Sequence, residues 1–89
     1  MIIQKLSNFL KDDPQTIAGA CFAVENASSE QVQPYFIQTL LGHINKSSES
    51  LKSQPELLDI VTSMLDTVLD NADYKSIHEE VAKTRSNLS

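Results

Sequence analysis

Apolar residues recur every three or four positions along most of the chain, which is the spacing of amphipathic helices. The first such stretch places five apolar residues on one face, Ile2, Ile3, Leu6, Phe9 and Leu10. It ends before Asp13, because the following Pro14 disfavours the helical conformation at that position. Asp13 as N-cap and Pro14 in the first turn then start a second helix, which we expect to run to about Asn26.

The second predicted helix is apolar on nearly every side. Its apolar residues are Ile17, Ala18, Ala20, Cys21, Phe22, Ala23 and Val24. A helix of this kind usually lies at the centre of its fold, so we predict that it is buried. The alternative is that part of it forms a face for a partner or for a second copy of the chain. Its small residues, Gly19 among them, would let a neighbouring backbone approach closely.

A third helix is predicted up to about Ile44, with Pro34 in or near its first turn. Its apolar residues are Val32, Tyr35, Phe36, Leu40, Leu41 and Ile44. Residues 46–53 contain four serines, and we predict a flexible polar loop there. Ser53 and Glu56 then have the spacing of a capping box, with Pro55 in the first turn of the next helix.

The two last helices are predicted over Glu56–Asp70 and from about Asp73 to Ser86. The first has apolar pairs three to four residues apart, formed by Leu57, Leu58, Ile60, Val61, Met64, Leu65, Val68 and Leu69. The second has an apolar side formed by Tyr74, Ile77, Val81 and Leu88.

These elements predict an all-α fold, a compact bundle of four to five short helices in a single domain over residues 1–89. The alternative is two stacked α-hairpins closed by the last helix, in the manner of a solenoid. No stretch alternates apolar and polar residues over six positions, so the sequence gives no signal for a strand.

The negative charge is concentrated in one region of the chain. The formal net charge is −5, and the window from Ser53 to Asp73 has five acidic residues and no Lys or Arg. Its four aspartates, Asp59, Asp66, Asp70 and Asp73, follow one another at spacings of seven, four and three. These steps return to nearly the same side of a helix, so we predict an acidic stripe facing solvent.

The stripe has a functional and a structural interpretation. Asp66 and Asp70 approach the C-terminal end of their helix, where the helix dipole favours cations. Residues that are unfavourable at their position are candidates for a functional role. In the structural interpretation Asp70 or Asp73 caps the last helix, and Asp59 and Asp66 keep a small protein soluble. In the functional one the aspartates attract a basic partner.

The residue types needed for catalysis or cofactor binding are scarce. The chain has one cysteine and two histidines, too few for the four ligands of a structural zinc site, and two glycines, too few for a phosphate-binding loop. Cys21 lies in the most apolar helix and is expected to pack as a small apolar residue. His78 is expected on the surface and His43 near a helix end. We therefore predict no catalytic, metal or cofactor site.

Several partner classes are also disfavoured. The seven Lys and Arg residues are scattered and the net charge is negative, which opposes nucleic-acid binding. No run of eighteen apolar residues is present, so no membrane span is expected. A single cysteine and the lack of a signal-peptide pattern predict a cytoplasmic protein.

We therefore predict a non-enzymatic protein–protein interaction module of the adaptor, assembly chaperone, inhibitor or immunity type. Its acidic helix would bind a basic surface through Asp59, Asp66, Asp70 and Asp73. Tyr74, Tyr35 or another exposed aromatic residue would be the apolar anchor. The alternative is a structural subunit that pairs, for example as a homodimer, through the apolar helix 14–26 or the C-terminal helix.

Overall fold

The computed structural model describes residues 13–28 and 30–88, and the helix predicted at residues 2–10 lies outside this part. The described elements are α1 (Pro14–Glu25), α2 (Pro34–Lys46), α3 (Ser48–Lys52), α4 (Pro55–Leu69), a 3-10 segment (Ala72–Ile77) and α5 (His78–Asn87). No strand occurs in the described residues. The prediction of a compact all-α bundle is confirmed.

Three of the helices begin at a proline, as the sequence predicts. Pro14, Pro34 and Pro55 are the first residues of α1, α2 and α4. Proline is tolerated there because the first backbone N–H groups of a helix have no acceptor within the helix. Asp13 caps α1, and its carboxylate accepts a 3.1 Å hydrogen bond from the backbone N–H of Thr16. The start of α1 is therefore fixed by the Asp13–Pro14 pair.

The predicted polar loop over residues 46–53 is wrong, because Ser48–Lys52 forms the short helix α3. Its Leu51 is completely buried in the core. The hydroxyl of Ser53 donates to the carbonyl of Ser50 at 2.7 Å, so it closes α3 and does not form the predicted capping box. Burial of one leucine outweighs the loop preference of the surrounding serines.

The four longer helices of the described part contact one another in a closed ring around the core. The most extensive packing joins α1 to α4, and α4 contacts α5, which contacts α2, which contacts α1. Gln15 near the start of α1 lies beside Pro55, and Glu25 at its end bonds to Ser63. Helices α1 and α4 therefore run in the same direction, although the chain between them contains α2 and α3.

Apolar residues from every described helix and from the 3-10 segment form one core. Its largest fully buried side chains include Ile17, Ile37, Leu40, Ile44, Leu51, Met64 and Leu65. Each comes from one stripe of its helix, so the faces turned away from the core are left for solvent. The outer faces of α1 and α4 adjoin, because these two helices pack side by side.

The last predicted helix begins later than its sequence pattern indicates. The backbone first forms the 3-10 segment, in which Tyr74 departs from helical geometry with φ −108° and ψ 19°. The side chain of Asn71 caps this segment by accepting from the N–H of Asp73 at 2.9 Å, a role predicted for Asp70 or Asp73. The α-helix α5 begins only at His78.

His78 connects the start of α5 to the end of α4. Its Nε2 atom lies 2.9 Å from the carbonyl oxygen of Val68 and 3.0 Å from that of Asn71. Carbonyls at the end of a helix lack partners within the helix, and a histidine N–H supplies one. The side chain is half-buried, so the expectation of a surface histidine is corrected to a structural contact.

Candidate interaction surface

The predicted acidic stripe is shorter than its spacing indicates. Asp59, Asp66 and Asp70 are exposed on α4 or at its C-terminal cap. Because α4 ends at Leu69, Asp73 belongs to the 3-10 segment and does not continue the stripe. The structure therefore places two of the four aspartates on α4 and a third at its C-terminal cap.

Asp66 is paired with a cation from another helix. The Nε and Nη2 atoms of Arg85 on α5 lie 2.5 Å and 3.3 Å from the two carboxylate oxygens of Asp66. This hydrogen bond, reinforced by the charge of Asp66, raises the pKa of Arg85. Asp59 has no cation partner among the described residues. The predicted acidic stripe is therefore interrupted at Asp66, because α5 lies beside α4 and its Arg85 pairs with this carboxylate.

Tyr74 is not exposed, so it cannot be the predicted aromatic anchor. Only 5% of its surface is accessible, and its hydroxyl donates to the carbonyl of Val32 at 2.9 Å. Burial, reinforced by the charge of Asp73, raises the pKa of Tyr74. Its apolar ring completes the core side of the 3-10 segment, which explains why the sequence places it on the apolar face.

The large apolar side chains that remain exposed in the described part are Phe22 and Tyr35, with accessible fractions of 60% and 75%. Phe22 lies on α1, where Ile17, Cys21 and Val24 are buried as predicted. An exposed phenylalanine has no polar atom to satisfy in water, whereas a tyrosine has its hydroxyl. Phe22 is therefore the side chain whose exposure most needs a physical explanation.

Phe22 borders a depression of about 340 Å³ between α1 and α4. We call it the α1–α4 groove, and its lining residues are Phe22, Glu25, Asp59, Ile60 and Ser63. Ile60 is half-buried, whereas Asp59 is exposed. The hydroxyl of Ser63 donates to Oε2 of Glu25 at 3.1 Å, which holds that carboxylate at the rim. The groove therefore combines apolar surface with two carboxylates.

Gly19 lies three residues before Phe22 on the same exposed side of α1. A methyl group at this position would meet no atom of the described chain within 4 Å. Glycine inside a helix costs about 0.5–1 kcal/mol relative to alanine, and the packing of the described residues does not require it here. Gly19 leaves an open notch in the helix surface one turn from Phe22.

A second depression, between α2 and α5, is lined mainly by polar groups that bond to one another. The amide of Gln38 donates to Glu80 at 3.1 Å, and the amide of Asn45 donates to the hydroxyl of Thr84 at 3.3 Å. Asn87 in turn donates to the amide oxygen of Asn45 at 3.2 Å. These bonds join α2 to α5, and we interpret the depression as part of the helix packing.

Cys21 is fully buried, as the apolar pattern around it predicts. Burial, reinforced by the charge of Glu25, raises the pKa of its thiol, so the reactive thiolate is disfavoured. Within residues 13–28 and 30–88, no group of three or more His, Cys, Asp or Glu side chains could hold a metal ion. None of the helices in these ranges has the length and apolar character needed to cross a membrane.

No protein-family model, curated protein or solved structure matches this chain.

Proposed function

We propose that this chain is a non-enzymatic protein-interaction module whose α1–α4 groove binds an apolar side chain on a basic segment of another protein. The observation that carries the proposal is the 60% exposure of Phe22 beside the carboxylates of Glu25 and Asp59. An exposed aromatic residue that contacts a partner commonly contributes much of the binding free energy. The carboxylates give the surface its preference for positive charge.

The shape of α1 favours a helical or extended partner segment that lies along the groove. Gly19 has no side chain, so a partner backbone can approach α1 closely beside Phe22. Contact with a partner there would also compensate for the stability that a helical glycine costs. Of the predicted acidic stripe, Asp59 lines the groove and would contact the partner, whereas Asp66 is already bonded to Arg85.

Self-association is the second candidate function, and Phe22 supports it through the same exposed surface on helix 14–26. A two-fold dimer would place the same patch on both copies, so Glu25 and Asp59 of one copy would face those of the other. Like charges at an interface oppose binding, which makes a basic partner the better match. Pairing through α5 has less support, because its Val81 and its C-terminal cap Leu88 are both buried.

The proposal is tested with two synthetic amphipathic helices, one built from Leu and Lys and one from Leu and Glu. Backbone amide NMR spectra of the chain are recorded as each helix is added. We expect the Leu-Lys helix to shift the amides of Phe22, Glu25 and Ser63, more weakly at high salt, and the Leu-Glu helix to have no effect. Shifts spread over the whole surface, or equal binding of both helices, would contradict the proposal.

Matched variants separate a specific groove from general attraction between opposite charges. Phe22→Ser is expected to weaken binding of the Leu-Lys helix more than about tenfold, as expected for a buried anchor residue. Tyr35→Ser removes the other exposed aromatic residue of the described part, which lies on α2, and serves as the control, with binding unchanged. Light scattering over a range of concentrations tests the second candidate, since a stable dimer that Phe22→Ser dissociates would favour self-association.

A further inference from the structure

We propose that residues 1–11 of this chain bind its own α1–α4 groove and compete there with the partner. This inference rests on the proposed function, because it assigns a regulator to the same surface. The segment is Met-Ile-Ile-Gln-Lys-Leu-Ser-Asn-Phe-Leu-Lys, which is amphipathic at helical spacing. Its apolar residues match the apolar lining of the groove, and its lysines match the carboxylates at the rim.

The charge of the chain divides sharply at residue 11. Lys5 and Lys11 lie before this point and no acidic residue does, so the segment has a formal charge of +2. The other five Lys and Arg residues and all twelve Asp and Glu residues follow, which gives −7 for the remainder. Residues 1–11 therefore have the basic, apolar chemistry that Phe22, Glu25 and Asp59 favour in a partner.

The distance to the groove is within reach of the segment. Asp13 has an extended backbone at φ −108° and ψ 123°, so α1 begins at a clear change of direction. Phe22 lies eight residues after Pro14, which corresponds to about 12 Å along the helix axis. Eleven residues reach about 16 Å even at the short rise of a helix, so the segment is long enough to extend from the start of α1 to Phe22.

Attachment to the same chain makes this occupant effective even when its own affinity is low. A short linker gives an effective concentration of about 1 mM. A segment with a Kd of about 0.1 mM would therefore occupy the groove in most molecules of the chain. A partner would then bind about tenfold more weakly than to a free groove. Residues 1–11 thus raise the partner concentration that is needed to fill the groove.

The test uses the full chain with the double change Leu6→Ser and Phe9→Ser on the apolar side of the segment. The control is Gln4→Ser with Asn8→Ser on its polar side. We expect the first pair to shift the amides of the α1–α4 groove and the control pair to leave them in place. A synthetic peptide of residues 1–11 should bind the first variant about tenfold more tightly than the wild-type chain, whose groove is occupied.

Each outcome of this test either supports the proposal or overturns it. Equal binding of the peptide to both chains, or shifts at the α2–α5 depression in place of the groove, would overturn it. A mass that doubles with concentration and returns to that of a monomer in the Leu6→Ser, Phe9→Ser variant would show exchange between copies, and would overturn binding within one chain. If the Leu-Lys helix binds both chains equally, only this inference fails; if it binds neither, the proposed function fails.

Discussion

The hydroxyl of Tyr74 donates to the backbone carbonyl of Val32 across 2.9 Å, and both residues are buried. The bond joins the segment that follows α4 to the loop that precedes α2, across 42 positions of sequence. A buried carbonyl needs a hydrogen-bond partner, because water cannot reach it. The tyrosine therefore supplies both core volume and a hydrogen-bond donor to this buried carbonyl.

Removal of this hydroxyl is expected to destabilise the fold with little change in packing. Tyr74→Phe keeps the ring but leaves the Val32 carbonyl without that donor, which costs about 1–3 kcal/mol in the free energy of unfolding. Urea denaturation followed by circular dichroism measures the change. Tyr35→Phe on the exposed face of α2 is the control, with an expected change below about 0.5 kcal/mol. Equal stability of Tyr74→Phe and the wild type would contradict the buried bond.

The raised pKa of Tyr74 gives a separate prediction at alkaline pH. The chain has two tyrosines and no tryptophan, so the Tyr35→Phe variant makes Tyr74 the sole source of tyrosinate absorbance. Burial and the charge of Asp73 raise the folded-state pKa, so the folded chain holds the proton more tightly than the unfolded chain does. The resulting stabilisation is complete below the ordinary tyrosine pKa of about 10 and is lost as the pH rises through the higher folded-state pKa.

The measurement is a spectrophotometric titration of the Tyr35→Phe variant, folded and in urea. We expect the folded curve to lie at higher pH than the unfolded one, and the free energy of unfolding to fall as the pH rises between the two midpoints. Coincident curves would show that Tyr74 is open to solvent in solution.

Leu51 is predicted to anchor α3 although its neighbours are serine, glutamate and lysine. Leu51→Ala removes a fully buried side chain and is expected to cost about 2–5 kcal/mol in the free energy of unfolding. Glu49→Ala in the same helix is the matched exposed control and should change stability by less than about 0.5 kcal/mol. Urea denaturation of both variants measures the difference. A small effect of Leu51→Ala would mean that residues 46–53 form the loop predicted from composition.

The sequence predicts the four longer described helices and most of the core, because periodic apolar positions and the three Pro residues mark them directly, but it misses the short helix α3. It does not identify Phe22, since a helix with apolar residues on every side gives no indication of which residue faces outward. Tyr74 is the opposite case: its place in the apolar pattern indicates the core, but its hydroxyl makes it a candidate for an exposed anchor. The contact between Asp66 and Arg85 joins positions 19 apart, so local charge counting over one helix cannot reveal it.

The aspartates of α4 are predicted to contribute unequally to binding. Asp59 lines the α1–α4 groove, whereas Asp66 already accepts two hydrogen bonds from Arg85. Asp59→Asn should therefore weaken binding of the Leu-Lys helix several-fold at low salt, and Asp66→Asn should have a much smaller effect. Both changes remove one negative charge, so each controls for the net charge in the other.

Arg85→Gln completes this comparison, because it removes the cation that pairs with the Asp66 carboxylate on α4. If charge near α4 acts only through its total, Arg85→Gln should strengthen binding as much as Asp59→Asn weakens it. If position governs binding, as the geometry of the groove predicts, the affinity lost in Asp59→Asn should be larger than the affinity gained in Arg85→Gln. Isothermal titration calorimetry at low and high salt distinguishes these cases. Equal losses from Asp59→Asn and Asp66→Asn would restore the uniform acidic stripe as the binding surface and remove the special role of the groove.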